Sequence, residues 1–333
     1  MGEKSEFVPQ SETKITSPFT YQRIDDKEKA DYIIPRVLGG RRLEDEEIVE
    51  LIQREAESRQ WFTMEYWRRK GKPVEQIVLT IGDKRVTIYN FNPETPFSDT
   101  HIETTQKVLG DLARRFPDIL TKIDWILIDN QQLPSIFNDE ERYPVNGMEI
   151  WGQPTVVIMP RGMQTNLSHR IKEISNFQGT LCHELAHLIE DQFKTKWQQI
   201  SSWQSIVNHP NWEKVAGPLQ IDGSRAYFWV NQQTQEKSFS GQYPSHPEQC
   251  ITHYARLNLE DDIAESLVAY LYCPEKLKQI APEKFNLLNQ AAAKEEPAFT
   301  ISAERIPKDK ISLPTLPSKT ITFFIEEPET KEG

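Results

Sequence analysis

The chain has 333 residues, 37% hydrophobic and 27% charged, with a formal net charge of −11. That length allows one or two domains with a sizeable core, and the acidic balance argues against phosphate-backbone binding as the main task, which needs clustered Lys and Arg. Three cysteines, Cys182, Cys250 and Cys273, are too few for a disulfide framework, and no stretch approaches the roughly 20 apolar residues that span a bilayer.

The opening MGEKSEFVPQSETK has no apolar run of the secretory kind, and Glu6 stands where a myristoylation signal wants Ser or Thr. The expectation is a soluble cytoplasmic protein with no membrane partner. A protein exported without a leader would read the same way.

Residues 1–40 are polar with little periodicity and read as a mobile arm. In 41–60, Ile48, Leu51 and Ile52 form the apolar side of an amphipathic helix. This belongs to a helical lead-in over 41–73 that ends at Gly71-Lys72-Pro73. EQIVLTI (75–81) alternates Ile77, Leu79 and Ile81, and RVTIYNF (85–91) follows a turn-rich GDK, predicting two strands. A helix fits 99–115, with Ile102, Val108, Leu109 and Leu112 on one side. KIDWILID (122–129) reads as a third strand, and NGMEIWGQPTVVIMP (146–160) as two more. A β-rich half therefore feeds a helical half, which is the α+β class. PTVVIMP (154–160) fits either an edge strand beside a site or an interior strand.

From 291 to 333 the text is dense in Pro, Lys and Glu and predicts a tail with little fixed structure, with TITFFI (320–325) as a possible edge strand. No internal repeat occurs at a solenoid period.

The chemistry is carried by GTLCHELAHLIEDQF (179–193), in which no Pro or Gly interrupts 180–193. His183 and His187 are four residues apart. On a helix that is an advance of about 400°, so both imidazoles stand on nearly one face and can reach one ion. Glu184, beside the first histidine, can face a water at the metal and act as general base. Leu181, Leu185 and Leu188 form a separate apolar stripe.

Zinc needs a third protein ligand and an open position. In ITHYARLNLEDDIAESLVAYLYCPEKL (251–277), Ile263, Leu267, Tyr270 and Leu271 make a helical stripe, while Asp261 and Glu265 project together from another side. One carboxylate can bind the ion, and the other can accept a hydrogen bond from a ligand histidine. Acidic residues are also what a helix's first turn favours. Glu260 and His253 are competent ligands too, so the residues alone leave the choice open.

Together these segments resemble the zinc peptidase group that includes the anthrax lethal factor catalytic domain. That group follows its His-Glu-x-x-His helix with Tyr-Ala, an Asn, and a helix reading roughly Glu-Asp-aromatic-Ala-Glu. Here the matching text is Tyr254-Ala255, Asn258 and Asp261-Asp262-Ile263-Ala264-Glu265. The resemblance implies a zincin-like catalytic domain over about 74–290 with one Zn2+ per chain. It makes Asp261 the third ligand, Glu265 the carboxylate behind a histidine, and Tyr254 the hydroxyl facing the reacting centre.

Two departures stand out. The group's ligand is normally Glu, one methylene longer than Asp. The span from His187 to Asp261 is also long, which implies an insertion at about 194–250. Trp197, Trp203, Trp212 and Trp229 of this insertion read as a local core. His209 and His246, beside prolines, read as exposed, and Cys182 and Cys273 as buried thiols.

The expected activity is hydrolysis of peptide bonds in a peptide or protein substrate, with no nucleic-acid partner. A zinc-holding scaffold without turnover is the alternative from another class, and an effector peptidase with a delivery partner is a third. Oligomeric state is not legible in the sequence.

Overall fold

The computed structural model describes residues 71–133, 135, 137, 145–150, 154–221, 224–293 and 298–312. They belong to a compact unit spanning Lys70–Leu313. The arm over 1–40, the helix expected over 41–60 and TITFFI lie outside the described residues.

The architecture is mixed α and β around a six-stranded mixed sheet. Its strands in chain order are β1 (Glu75–Ile81), β2 (Lys84–Asn90), β3 (Trp125–Ile128), β4 (Gly147–Glu149), β5 (Thr155–Ile158) and, late in the chain, a strand at Ile301–Arg305. The spatial order is Ile301–Arg305, β1, β2, β3, β5, β4. β1 and β2 form an antiparallel hairpin, β2–β3–β5 run parallel, and β4 turns back antiparallel to β5. The middle strands β3 and β5 are buried along their whole length. Their continuous Val and Ile runs are what a strand covered on both faces requires.

Between β2 and β3 comes α1 (Asp99–Arg115), the helix expected over 99–115. Ser98 caps it with His101 reciprocating, and Asp99 and Arg114–Arg115 complement the helix dipole. Its apolar face, Ile102, Val108, Leu109 and Leu112, is buried in the main core. A short α2 (Ile119–Lys122) follows. Two further helices hold the second half of that core. α3 (Asn176–His187) begins at the Ser175 cap, and its Leu181 and Leu185 are fully buried. The other is the helix Leu259–Tyr272, with an acidic first turn, described below.

Between them lies the segment expected as an insertion. It forms α4 (Lys194–Ser201) and two small sheets. One pairs β6 (Trp203–Ser205) with β10 (Gln242–Pro244). The other orders β7 (Trp212–Ile221), β8 (Ser224–Asn231) and β9 (Lys237–Ser238). Trp197 is fully buried and Trp203 nearly so, whereas Trp212 and Trp229 are half-buried. α5 (Leu259–Tyr272), α6 (Pro274–Ile280) and α7 (Pro282–Ala291) complete the helical half, and Ile301–Arg305 is β11. Among the described residues no helix is long and apolar enough to cross a membrane.

Two expectations need correction, and one choice left open is decided. First, the body does not stop at 290. β11 pairs antiparallel with β1 from Ile77–Arg305 to Ile81–Ile301, because β1 would otherwise leave a row of peptide groups unpaired, and Phe299 and Ile301 pack against the core. The choice left open for PTVVIMP falls to an interior strand: β5 has β3 on one side and β4 on the other, so among the described residues the edge beside the helices is β4. The His-Glu helix ends with its motif, at His187. The Leu188 N–H turns to Leu185 O and the chain tightens into a 3-10 turn at Glu190–Gln192. The second correction is that Cys273 is half-buried, while Cys182 and Cys250 are the buried thiols and all three are free.

Candidate metal centre

α3 and α5 pack together and bring three ligand atoms into one place. His183 Nε2 and His187 Nε2 are 3.1 Å apart, and Asp261 Oδ1 lies 3.2 Å from the first and 3.6 Å from the second. All three atoms fall within 4.8 Å of one another, and the side chains are buried or nearly so.

Each histidine is set by a carboxylate behind it. His183 Nδ1 lies 2.9 Å from Glu265 Oε1, and His187 Nδ1 lies 2.6 Å from Glu190 Oε2. With Nδ1–H donated to a carboxylate, the lone pair of each ring is at Nε2. Two imidazole lone pairs and a carboxylate oxygen then face one another at contact distance. Such an arrangement needs a positive charge among the three, as a proton on a ring or as a metal ion. Against burial, the Asp261, Glu265 and Glu190 carboxylates raise the two imidazoles, and two imidazoles with one carboxylate suit Zn2+.

Asp261 owes its aim to the start of α5. Asn258 is the N-cap; its Oδ1 accepts from Asp261 N at 2.6 Å and its Nδ2 donates to Asp261 Oδ2 at 2.7 Å. One carboxylate oxygen is thereby occupied and the other is turned to the histidines. The shorter Asp reaches the cluster for this reason. The other candidates lie elsewhere: Glu260 pairs with Lys194 Nζ at 3.2 Å, and His253 is exposed.

Glu265 serves as a hub. Thr252 Oγ1 donates to its Oε2 at 2.8 Å, and Arg170 Nε and His169 Nε2 lie 3.7 and 3.9 Å from its Oε1. Burial works against ionisation here, but Arg170 and the two histidines overcome it and hold Glu265 well below the usual carboxylate range.

Glu184 is buried beside the two histidines, and burial pushes its carboxyl up although His183 and His187 pull it down. The edge strand β4 lies against it. A Cβ at Gly147 would stand 2.7 Å from Glu184 Cγ, so only Gly lets the strand pass this close. The strand is tied to the helix start: Asn146 Nδ2 donates to Asn176 Oδ1 at 3.2 Å, and Asn176 Nδ2 donates to Arg161 O at 2.8 Å.

Tyr254 packs its ring edge-on to His183 at 5.6 Å between centroids. Burial and then Asp261 hold its phenol protonated. The insertion borders it, because Tyr254 also packs on a small cluster of Phe137, Phe228 and Leu257.

Sequence reasoning placed His183, His187, Glu184, Asp261, Glu265 and Tyr254 here, and the structure brings all six together. It missed Glu190, Glu149 and Arg170. Glu190 sits three residues beyond the second histidine, a spacing at which side chains on a tightening turn meet, and that was the available signal. Glu149, on β4, is pushed up to about 7, first by burial and also by Glu190 and Glu184. No local pattern marks it or Arg170. His209 and His246 are exposed.

No family model matches the chain, and no match is found among curated proteins or solved structures.

Proposed function

We propose that this chain is a zinc-dependent peptidase built on a zincin-like body, with His183, His187 and Asp261 holding the ion. The observation that carries this reading is the convergence of two imidazole nitrogens and one carboxylate oxygen, each oriented by its own partner, beside a buried Glu184. When bound, zinc supplies Lewis acidity toward a water and a carbonyl.

The protein's residues do the rest. Glu184, raised by burial, accepts a proton from water and returns it to the leaving amine. Tyr254, kept protonated, donates a hydrogen bond to the oxyanion of the tetrahedral intermediate. Among the described residues β4 ends the sheet, so its outer peptide groups suit an extended polypeptide laid along the strand.

The test is Glu184→Gln, which keeps size and hydrogen bonding but removes the proton acceptor. The variant should fold and hold zinc like wild type and lose 10²–10⁴-fold in peptide cleavage, of the order of a general base's contribution. The assay is a diverse peptide library read by mass spectrometry, with chelated protein as blank and zinc restoration as control. Equal cleavage by both proteins would overturn the mechanism. Tight zinc in both with no cleavage by either would favour a non-catalytic scaffold.

A further inference from the structure

The segment leading into α3 folds back on itself before the helix begins. Ser168 and Ser175 form an isolated bridge, His169 N donates to Ile174 O at 2.9 Å, and Lys172 N donates to His169 O at 2.8 Å. Gly179, one turn into α3, lets this loop sit down, since a Cβ there would stand 2.2 Å from His169 Cγ. The loop thus delivers Arg170 to Glu265.

There the Arg170 guanidinium does two things. Its carbon lies 3.8 Å from the centroid of the Tyr254 ring, a cation laid on a π face. Its Nε lies 3.7 Å from Glu265 Oε1. That Nε is buried without a hydrogen-bond partner among the described residues, so it is held there by charge and stacking. Arg170 therefore joins the Tyr254 ring to the carboxylate that orients His183. A planar guanidinium suits both contacts, whereas an ammonium offers only the charge.

We infer that Arg170 is a positioning residue: stacked on Tyr254 and paired with Glu265, it fixes the phenol relative to the His183–His187–Asp261 cluster. This rests on the peptidase reading for its kinetic consequence, but not for its structural one. Tyr254 stands on a single 3-10 turn at Tyr254–Arg256, outside the helices that carry the ligands. Its ring needs a lateral hold, because about 1 Å of misplacement can cost a hundredfold in rate.

The experiment has two arms. In the first, 3-fluorotyrosine is incorporated at Tyr254 and read by fluorine NMR in zinc-loaded wild type, Arg170→Lys and Arg170→Ala proteins. Wild type should give one narrow line, Arg170→Ala a shifted and broadened one, and Arg170→Lys an intermediate. An unchanged line in Arg170→Ala overturns the proposal whether or not the protein cleaves peptides. In the second, Arg170→Ala should keep wild-type zinc and KM but lose roughly 10–100-fold in kcat. Combined with Tyr254→Phe it should lose nothing beyond Tyr254→Phe alone. Losses that multiply, or lost zinc in Arg170→Ala, would mean that Arg170 does not act through Tyr254. Absence of cleavage by wild type would instead count against the peptidase reading and leave the fluorine arm to decide.

Discussion

The Nδ1 atom of His187 lies 2.6 Å from Oε2 of Glu190, and the other oxygen of that carboxylate takes Lys194 Nζ at 3.0 Å. The turn that ends α3 thus supplies the partner of the helix's own last histidine. Glu265 does the same for His183 from α5, so the two rings are oriented by carboxylates from different elements.

Glu190→Gln should therefore weaken zinc retention by about 10–100-fold, the usual effect of losing an outer partner of a ligand histidine. Glu265→Gln should fall in the same range, and Asp261→Asn well beyond it. Glu260→Gln should change little, because Glu260 pairs with Lys194 rather than the cluster. Competition against a calibrated chelator measures all four. Wild-type affinity in Glu190→Gln would remove that residue from the site, and a large loss in Glu260→Gln would shift the ligand by one position.

The contrast shows what a sequence carries. His183, Glu184 and His187 are legible because helical periodicity alone places them. Asp261 and Glu265 share a face by the same rule, but their meeting with α3 depends on packing between segments far apart in the chain. The sheet was legible where strands alternate or run apolar, as in β1 and β5. That β4 rather than β5 forms the edge is a fact of pairing, which single-strand patterns do not encode. β11 was missed because Ile301–Arg305 leaves most of its side chains exposed. Its order comes from the ladder with β1, so no apolar pattern announces it. Arg170 and Glu149 are single residues in loops and short strands, where only tertiary structure brings them to the site.

A second charged cluster tests the core of the helical half. Lys284 Nζ lies 2.8 and 2.7 Å from the two oxygens of Asp262 and donates to Gln249 O at 3.0 Å. Trp197 Nε1 also donates to Asp262, at 2.8 Å. Both charged side chains are buried and well matched in hydrogen bonds. Removing one partner strands the other charge. Lys284→Met should destabilise by about 3–5 kcal/mol, while Lys284→Met with Asp262→Leu should recover part of that loss. Urea unfolding monitored by tryptophan fluorescence reads both. A Lys284→Met protein as stable as wild type would mean that the pair is hydrated and contributes little.

The last expectation concerns acid. His169 is buried to 2% exposure, its Nδ1 accepts from Ile171 N–H at 3.3 Å, and its Nε2 has no hydrogen-bond partner among the described residues. Burial pushes its pKa down to about 3, although Glu265 pulls the other way. In the unfolded chain the imidazole titrates near the ordinary value of about 6.5. Between these values the unfolded chain binds a proton that the folded protein refuses. The stability linked to His169 is therefore complete above about pH 6.5 and is lost as pH falls toward 3, by about 1.4 kcal/mol for each pH unit. His169→Gln cannot titrate, so its stability should fall less steeply through that window, whatever offset the substitution itself imposes. The comparison is made by urea unfolding of the chelated proteins at several pH values from 7.5 down to 4.5. His183, His187 and the carboxylates then titrate in both and cancel in the difference of slopes. Parallel stability curves for the two proteins would show that His169 is protonated in the folded state, and that the loop holding Arg170 is more open to water than its packing on Gly179 implies.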